Sequence, residues 1–381
     1  MARIVLGSYM VRYPLGGMMS WVLQYLVGFQ KLGHDVYFVE RADYPDACYD
    51  PVRNEMVDDP SRGIAVLEDL LSAFELEEKW CFVDVHGRHY GLDEDQATKA
   101  FDSADLFVDM GTHGAWLEHA SRVPVTVLID GEPGFTQMKM ERNLAAGEPI
   151  PRYDRYFTAG RNIGTPDSSA PTADQNWGHV FHPVVTDLFP VHPPAPDGPV
   201  TTVMNWQSYE PLEFESRRFG HKDVEFERFF GLPARSALTL ELAVAGAATP
   251  VAELHGAGWR VRDAHEVTRS FDSFRAYISG SLAEFSVCKN GYVATNSGWF
   301  SDRSAAYLAS GRPVVQQETG FSRHLPCGEG LFAVSDLDEA GAALDEIAAD
   351  PQRHSKAAVE IAEEYLSAER VLARFLEGVG L

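Results

Sequence analysis

Cysteine is scarce, and the cysteines present are not arranged for disulfide or metal chemistry. Cys48, Cys81, Cys288 and Cys327 are scattered along 381 residues, with no CxxC pair and no histidine at zinc-ligand spacing. This arrangement argues against a disulfide-stapled secreted scaffold and against a zinc ribbon. We therefore expect buried free thiols in a reducing compartment.

Long apolar runs are also missing. No stretch reaches the roughly 18 consecutive apolar residues that a membrane-spanning helix needs. The first residues, MARIVLGSYM, read directly as a strand and lack the charged segment and apolar stretch of a secretory signal. The sequence therefore predicts a protein without a membrane span, located in the cytoplasm.

Positive charge is in deficit. The chain has 32 Lys and Arg against 56 Asp and Glu, which gives a formal net charge of −24. A chain this acidic repels polyanions unless it concentrates a basic patch, and no such patch stands out, so we expect no nucleic acid among its partners. A small anionic ligand remains compatible, because helix N-termini and one or two cations can hold it inside a cleft. We expect a monomer or a homodimer.

Short apolar runs alternate with helical patterns through the first half of the chain. RIVLGSY, DVYFVE, DLFVDMG and VPVTVLID read as buried strands, and MMSWVLQYLVGFQKLGHD carries apolar residues at helical spacing. A proline-rich connector, HPVVTDLFPVHPPAPDGP, then separates them from a second series of strands that runs from VTTVMNW to LFAVSD. This pattern predicts an α/β protein with two Rossmann-like, doubly wound parallel-sheet domains that face each other across a cleft.

The predicted domain boundaries follow the connector. We place the first domain at residues 1–190 and the second at 191–355, and we expect the amphipathic segment 356–381 to pack as a helix back towards the first domain. A chain of this length also favours two domains over one. Since ligands bind beyond the carboxyl ends of strands in open parallel sheets, the site is expected in the cleft.

The segment NSGWFSDRSAAYLASGRPVV, residues 296–315, has the makings of an anion site. A loop containing Gly and Ser leads from a strand into a helix that Ser301 or Asp302 can cap. Free N–H groups from Gly298 to Arg303 and the helix dipole would attract an anion, and Arg303 would add a full positive charge. The alternative is that Ser301 and Asp302 only cap the helix, with Asp302 and Arg303 as a solvated pair.

These residues carry a family resemblance. SGWFSDRSAAYLASGRPVV resembles the donor-site segment of glycosyltransferases of the GT-B fold, in which a Gly-rich loop, a helix and a strand grip a nucleoside diphosphate. QQETGFSRHL resembles their donor-sugar loop, WGHVFHPVVTDLFP resembles the interdomain segment of family 4 type enzymes, and LGG at 15–17 resembles their first diphosphate-facing loop. The resemblance covers essentially the whole chain through loose motifs. It implies transfer of a sugar from a UDP- or dTDP-linked donor, bound by the second domain, to an acceptor hydroxyl, with no cofactor and no metal ion.

The resemblance also implies which residues bind the donor. The residues expected at the diphosphate and nucleoside are Gly16, Gly17, Asn205, Trp206, Lys222, Ser297, Gly298, Ser301, Asp302 and Arg303, and those expected at the sugar are Glu318, Thr319 and Gly320. The paired glutamates of retaining family 4 enzymes would fall on Gly298 and Ala306, and Asn205 and Trp206 stand where an arginine is expected. Ser297 to Ser301 is instead similar to the G-W-x-S of family 1 enzymes, so the stereochemical outcome stays open.

The first domain is expected to hold the acceptor and any catalytic base. VTVLIDGEPGF ends with Asp130 and Glu132, and DLFVDMGTHG ends with Asp109 and His113. An inverting transfer needs a carboxylate or histidine to remove the proton of the acceptor hydroxyl. We rank Asp130 first for this role, with Asp109 and His113 behind it. The alternative is that each of these residues caps the turn that follows its strand.

Two other functions stay open at this point. A nucleotide-sugar 2-epimerase or hydrolase of the same fold would use the donor pocket without a second substrate, with Glu318 and His324 as candidates beside the sugar. A two-lobed small-molecule binding protein would use the cleft without chemistry. For a transferase, Trp21, Trp116 and Phe135 near the predicted strand ends fit an aromatic or lipid-like small acceptor. A low Lys content beside abundant Ala, Arg and Asp fits a bacterial enzyme of natural product biosynthesis.

Overall fold

The computed structural model describes residues 1–246 and 248–381. They form two parallel sheets with helices against their faces, accompanied by two small hairpins. The predicted fold class, two Rossmann-like parallel-sheet domains, is confirmed.

The first domain is built on an eight-stranded sheet. Its ten strands, two of them in a separate hairpin, are β1 (Arg3–Gly7), β2 (Asp35–Arg41), β3 (Cys48–Asp50), β4 (Glu55–Val57), β5 (Trp80–Val83), β6 (His89–Gly91), β7 (Leu106–Asp109), β8 (Val125–Asp130), β9 (Arg155–Thr158) and β10 (Trp177–His179). The sheet order is β10-β9-β8-β7-β1-β2-β5-β6, and β6 alone of these runs antiparallel to its neighbour. Ile4, Val5 and Leu6 of the central strand are fully buried, because helices cover both faces.

Four helices belong to this part of the chain. They are α1 (Gly16–Lys31), α2 (Ser61–Ser72), α3 (Glu94–Asp102) and α4 (Phe135–Ala145). The first of them, α1, buries Val22, Leu26 and Phe29 at helical spacing, as its sequence pattern predicts. It starts at the carboxyl end of β1 and so brings Gly16 and Gly17 to the cleft edge of the sheet.

The second domain is built on a six-stranded parallel sheet of order β15-β14-β11-β16-β17-β18. Its strands, with the hairpin β12–β13, are β11 (Val200–Asn205), β12 (Leu212–Phe214), β13 (Arg217–Phe219), β14 (Leu240–Ala245), β15 (Arg260–Asp263), β16 (Ala283–Ser286), β17 (Val314–Gln317) and β18 (Leu331–Val334). Its helices are α5 (Lys222–Phe226), α6 (Val251–Gly256), α7 (Ala264–Val267), α8 (Phe271–Ser279), α9 (Asn290–Ala294), α10 (Asp302–Ala309) and α11 (Leu337–Ala349).

The C-terminal segment returns to the first domain. It consists of α12 (Pro351–Ile361), a π-helical turn at Ala362–Leu366, and α13 (Ala368–Val379). The ring of Phe375 lies 5.0 Å from that of Phe157 and 6.2 Å from that of Phe29. Gly28 of α1 makes this packing close, since a Cβ there would lie 2.5 Å from a methyl carbon of Leu372.

The chain therefore crosses between the domains twice, and the two crossings are hydrogen-bonded to each other. The N–H of Val184 donates to the carbonyl of Leu366 at 2.8 Å, and the N–H of Ala368 donates to the carbonyl of Val184 at 2.8 Å. The first crossing runs on through the proline-rich connector into β11.

Each domain also extends a hairpin to the other. The hydroxyl of Tyr49, in β3, lies 2.7 Å from Nε2 of His265 in α7. Leu212 of β12 and Phe219 of β13 pack in one apolar cluster with Phe135 and Met138 of α4. These contacts, and those described below, hold the two domains close together. Among the described residues, no helix is long and apolar enough to cross a membrane.

Candidate active site

Three cationic side chains meet at the cleft edge of the second sheet. Lys222 begins α5, Lys289 precedes α9 after β16, and Arg303 lies in the first turn of α10. The charges of Arg303 and Lys289 both act on the pKa of Lys222, so the three groups share one electrostatic site. Like charges this close repel one another, so each cation is stabilised by an anion nearby; for Arg303 and Lys289 that anion is a carboxylate of the protein, described below.

Lys222 is the most unusual of the three. It is only 8% exposed, and residues 1–246 and 248–381 give its ammonium neither an ion pair nor a hydrogen bond. Burial first, and then the Arg303 charge, lower the pKa of Lys222 to about 7, while Cys288 and Glu284 act in the opposite direction. A buried cation beside another cation is unfavourable in the ligand-free protein. An anionic ligand would remove that cost.

Arg303 does not point freely into the cleft. Its guanidinium donates to the carboxylate of Glu284, to the carbonyl of Val203 at 2.8 Å and to Oγ of Ser286 at 2.7 Å. Burial opposes its charge, but the Glu284 carboxylate outweighs burial and the pKa of Arg303 is raised. The alternative of a solvated Asp302–Arg303 pair therefore does not describe Arg303. The side chain reaches β11, where the sequence had offered Asn205 and Trp206 in place of an arginine.

Lys289 forms an ion pair across the cleft with Glu132, which follows β8. Nζ of Lys289 lies 2.7 Å from both Oε1 and Oε2 of Glu132, and the hydroxyl of Tyr209 donates to Oε2 at 2.8 Å. The Glu132 side chain is 43% exposed and that of Lys289 is 12% exposed. Burial would raise the pKa of Glu132, but the Lys289 charge and these hydrogen bonds lower it, so the carboxylate is ionised.

Aromatic rings enclose this ion pair. Nζ of Lys289 lies 4.8 Å from the ring centre of Tyr209, 5.8 Å from that of Tyr292 and 6.0 Å from that of Phe135. Such cation–π contacts favour the charged amine. His221 stacks on Phe135 at 5.8 Å with 6° between the planes, and both of its ring nitrogens are buried without a partner in the described chain.

On the first-domain side, partly exposed aromatics line the carboxyl end of β1. Tyr9 lies 5.9 Å from Tyr13 and 5.9 Å from Trp21, measured between ring centres. Nε1 of Trp21 donates to Nδ1 of His182 at 3.2 Å, which leaves the His182 proton on Nε2, and burial lowers the pKa of His182. The ring of His182 borders Gly131, directly before Glu132.

The residues ranked as bases are engaged in other contacts. Asp130 is 3% exposed and accepts hydrogen bonds from Thr136, Gln137 and Thr158 and from the N–H of Glu132, at 2.6 to 2.8 Å. Burial raises its pKa. These contacts hold the loop after β8, as expected of a turn-capping residue, and they give Asp130 no free oxygen for an acceptor.

Asp109 and His113 are no better placed. Asp109 is fully buried and accepts from the N–H groups of Thr112 and Gly114 and from the hydroxyl of Tyr153, at 2.7 to 2.9 Å. His113 is exposed in the following turn, with a positive φ of 53°. The geometry therefore gives the base role of all three residues no support and brings Glu132 to the cleft instead.

The loop before α10 differs from its expected arrangement. The N–H of Ser297 donates to Tyr292, and that of Gly298 donates to Thr319 at 2.6 Å. The expectation that the N–H of Gly298 is free is therefore wrong. Ser301 is 1% exposed, and its N–H is directed to Oε1 of Gln316 at 3.4 Å. A free helix N-terminus can begin only at Asp302.

This loop is used to join the domains. The N–H of Asn162 donates to the carbonyl of Ser297 at 2.9 Å, and its side-chain amide donates to Asn296 at 3.0 Å. Nε2 of His324 lies 2.8 Å from Oδ1 of Asn162. Gly298 is required here, because its φ is 74° and a Cβ would lie 2.8 Å from the N–H nitrogen of Asn162.

The remaining predicted donor residues are dispersed around the cleft. The carboxylate of Glu318 accepts from the N–H groups of Thr319 and Gly320 at 2.9 and 2.5 Å. Asn205 is exposed at the end of β11, whereas Trp206 turns into the core and lies 5.1 Å from Phe226. Trp206 therefore packs in the core of the second domain, although a contact with the donor in the cleft was expected.

The two glycines of the first loop differ from each other. Gly16 donates its N–H to the carbonyl of Thr268 at 2.7 Å, and a Cβ there would lie 2.3 Å from the carbonyl oxygen of Ser270. A Cβ on Gly17 would meet nothing closer than a ring carbon of Phe274 at 3.8 Å. Gly16 is thus a point of close approach between the domains. Within the described residues, no group of three or more His, Cys, Asp or Glu side chains could hold a metal ion.

The chain matches known proteins in structure but not in sequence. No protein-family model and no curated protein sequence matches the chain. Among solved structures, an alpha-glucosyltransferase in complex with UDP and a 13-mer DNA containing a HMU base has a TM-score of 0.62 and 12% identity over 100% of both chains. Anabaena Alr3699/HepE in complex with UDP and glucose has a TM-score of 0.54 and 12% identity, covering 99% of this chain and 100% of its own. AviGT4, a glycosyltransferase involved in avilamycin A biosynthesis, has a TM-score of 0.55 and 12% identity, covering 99% and 96%.

At these identities the likeness establishes the fold. The chain has the GT-B fold that these UDP-binding and natural-product glycosyltransferases share, as the resemblance of its motifs predicted. The active-site interpretation depends on the residues described above.

One sequence expectation is contradicted by the same comparisons. Structures of this fold have been obtained with DNA that contains a mismatch, an abasic site or a HMU base. The prediction that the partners include no nucleic acid is therefore wrong as an inference from net charge. The charge of a whole chain does not decide what its cleft admits, because electrostatic interactions are screened over about 10 Å and local groups dominate.

Sequence reasoning passed over the residues that define the cleft most clearly. Lys289 and His182 were not singled out, and Glu132 was expected beside Asp130 at the strand's end but was not ranked as a base. A signal existed for Lys289, since CKNG follows a predicted buried strand. No signal in the sequence indicated that the side chain of Arg303 turns towards Glu284 and Val203 and away from solvent.

Proposed function

We propose that the protein is a glycosyltransferase that moves a sugar from a nucleoside-diphosphate sugar to a hydroxyl of a small-molecule acceptor. The observation that carries this proposal is the largely buried side chain of Lys222, whose ammonium has no partner among the described residues and lies beside Arg303 and Lys289. A diphosphate has the charge that these groups need, and the fold matches proteins solved with UDP.

The cationic group has a direct chemical role in this proposal. As the bond between the anomeric carbon and the phosphate oxygen breaks, negative charge develops on the leaving diphosphate. Lys222 and Lys289 would stabilise that charge, and the first N–H groups of α10 would add the positive end of a helix dipole. Arg303, fixed by Glu284 and Val203, would offset the buried charge of Glu284, so that this carboxylate does not repel the diphosphate. We propose that these groups neutralise the leaving diphosphate without a metal ion.

On the acceptor side, Glu132 is the carboxylate that reaches the cleft. We propose that it accepts the proton of the acceptor hydroxyl while the hydroxyl oxygen bonds to the anomeric carbon. Tyr9, Tyr13 and Trp21 form a partly exposed aromatic surface nearby, which suits a small acceptor with a flat or apolar face. A hexose is the proposed donor sugar, carried by UDP or dTDP.

The test is a binding and turnover experiment in one buffer. Calorimetric titration with UDP and with dTDP should show binding of at least one nucleotide, and Lys222→Gln should weaken it by roughly tenfold or more. Lys356→Gln is the matched control, because that lysine is 77% exposed on α12. The wild-type protein should then consume a UDP- or dTDP-hexose only when an acceptor is added.

Two results would count against the proposal. Absence of binding by either nucleotide at millimolar concentration would remove both enzyme readings and leave a binding protein. Consumption of UDP-GlcNAc without any acceptor would point to an epimerase or hydrolase.

A further inference from the structure

The ion pair between Glu132 and Lys289 is unusual in its position. It joins the carboxyl end of a first-domain strand to the carboxyl end of a second-domain strand, across the space where the substrates of a GT-B protein are expected. It places an anion of the protein against one of the two lysines that the donor diphosphate would use.

The contact has the geometry of a bound anion. Both carboxylate oxygens lie 2.7 Å from Nζ of Lys289, and the lysine is enclosed by the rings of Tyr209 and Tyr292. A phosphate oxygen bound by Lys289 would make the same kind of charge-assisted hydrogen bond. The carboxylate and the phosphate therefore compete for one ammonium.

We propose that Glu132 is an internal competitor of the donor diphosphate for Lys289, and that donor binding releases Glu132 to face the acceptor. This inference rests on the proposed function. It names a coupling within the same site: the carboxylate becomes available for the acceptor only when the diphosphate has taken Lys289.

The surrounding contacts allow such an exchange. Lys289 holds its charge on a flexible four-carbon stem, so its ammonium can turn towards Lys222 and Arg303 without movement of α9. After release, Glu132 keeps the hydrogen bond that the hydroxyl of Tyr209 donates to its Oε2 at 2.8 Å, which holds the carboxylate at the cleft. The exchange predicts that the donor binds before the acceptor.

The experiment is a double-mutant cycle on UDP affinity, with dTDP measured in parallel. Glu132→Gln removes the competing charge and should lower the Kd for UDP by about three- to tenfold. Lys289→Gln should raise the Kd. In the Lys289→Gln background, Glu132→Gln should change the Kd by less than about twofold, because no ammonium remains to be released. Glu148→Gln, an exposed first-domain carboxylate, is the matched control.

The possible results distinguish failure of the competition between Glu132 and the diphosphate from failure of the proposed glycosyltransferase function. If the wild type binds UDP but Glu132→Gln leaves the Kd unchanged or raises it, Glu132 is not a competitor. If the tighter binding persists undiminished in the Lys289→Gln background, the effect is general electrostatics and the exchange at Lys289 is rejected. The proposed function itself is rejected if neither UDP nor dTDP binds the wild type or the variants. This conclusion requires that the variants are folded, as shown by melting temperatures equal to that of the wild type.

Discussion

Arg303 of α10 donates through its guanidinium to the carbonyl of Val203 in β11, and the two residues are separated by 100 positions of the chain. The contact brings a guanidinium from the first turn of α10 towards the end of a strand where the sequence offers only Asn205 and Trp206. The cationic group that includes Lys222 is thus assembled from three separate parts of the second domain.

The titration of Lys222 gives a prediction about pH. Its pKa is about 7 in the ligand-free protein, so the ammonium is half charged near pH 7, almost fully charged more than about one pH unit below it, and neutral well above it. A bound diphosphate favours the charged form and raises that pKa. UDP affinity should therefore fall between pH 7 and pH 9, by up to about tenfold per pH unit until the pKa of the complex is reached.

The matched variant for that prediction is Lys222→Arg, which keeps the charge at every pH. Calorimetric titrations at pH 7, 8 and 9 should give a falling affinity for the wild type and a nearly constant one for the arginine variant. Parallel curves for the two proteins would show that Lys222 does not titrate at the nucleotide.

Removal of the buried charge at Arg303 should be costly to stability. Glu284 is fully buried, and one of its oxygens already lacks a partner in the described chain. Arg303→Gln would leave that carboxylate uncompensated and should reduce the free energy of unfolding by about 3 kcal/mol. Urea denaturation followed by tryptophan fluorescence measures it, with Lys356→Gln, from an exposed pair, expected to change it by less than about 0.5 kcal/mol. Equal effects from both variants would contradict the structural role of Arg303.

Gly16 and Gly17 provide a test of domain closure in adjacent residues. A Cβ at Gly16 would lie 2.3 Å from the carbonyl oxygen of Ser270, whereas the nearest contact at Gly17 is 3.8 Å. Gly16→Ala should push the domains apart at this edge and lower the melting temperature by several degrees, since a loss of about 1 kcal/mol shifts it by about 2–4 °C in domains of roughly 150–250 residues. Gly17→Ala should leave both the melting temperature and the radius of gyration in solution scattering unchanged. Similar behaviour of the two variants would show that the close approach at Gly16 is not required.

Variants of Asp130 and Glu132 distinguish a residue that holds the loop after β8 in place from a residue that faces the substrates in the cleft. Asp130→Asn deprives its four donors of a carboxylate and should cost about 1–3 kcal/mol of stability, while turnover per folded molecule falls less than about tenfold. Glu132→Gln removes the partner of Lys289 and should cost at most about 1 kcal/mol of stability, because Glu132 is 43% exposed, while turnover falls by about a hundredfold. A hundredfold loss of turnover in a fully folded Asp130→Asn protein would restore Asp130 as the base.

The sequence predicted the fold well, because the fold depends on local patterns. Apolar strands such as RIVLG alternate with helices such as α1, and the proline-rich connector marks the change of domain. The same patterns placed Arg303 at the start of a helix, and the structure has it in the first turn of α10.

The directions of side chains could not be predicted in this way. Asp130 and Glu132 are two residues apart on the same loop, yet one turns into the first domain and the other crosses to Lys289, 157 positions away. The loop that contains Gly298 has the composition of a phosphate-binding loop, but the N–H of Gly298 donates to the carbonyl of Thr319. Such contacts depend on segments that only the folded chain brings together.

The paired backbone hydrogen bonds of Val184 with Leu366 and Ala368 restrict how the two domains can move. A single connector would leave the domains free to twist as well as to open. Two chain segments joined side by side by backbone hydrogen bonds resist twisting more than a single connector does. We therefore expect any relative movement of the domains to leave the segments around Val184 together, while the contacts at the opposite edge of the cleft, such as that of Lys289 with Glu132, separate first.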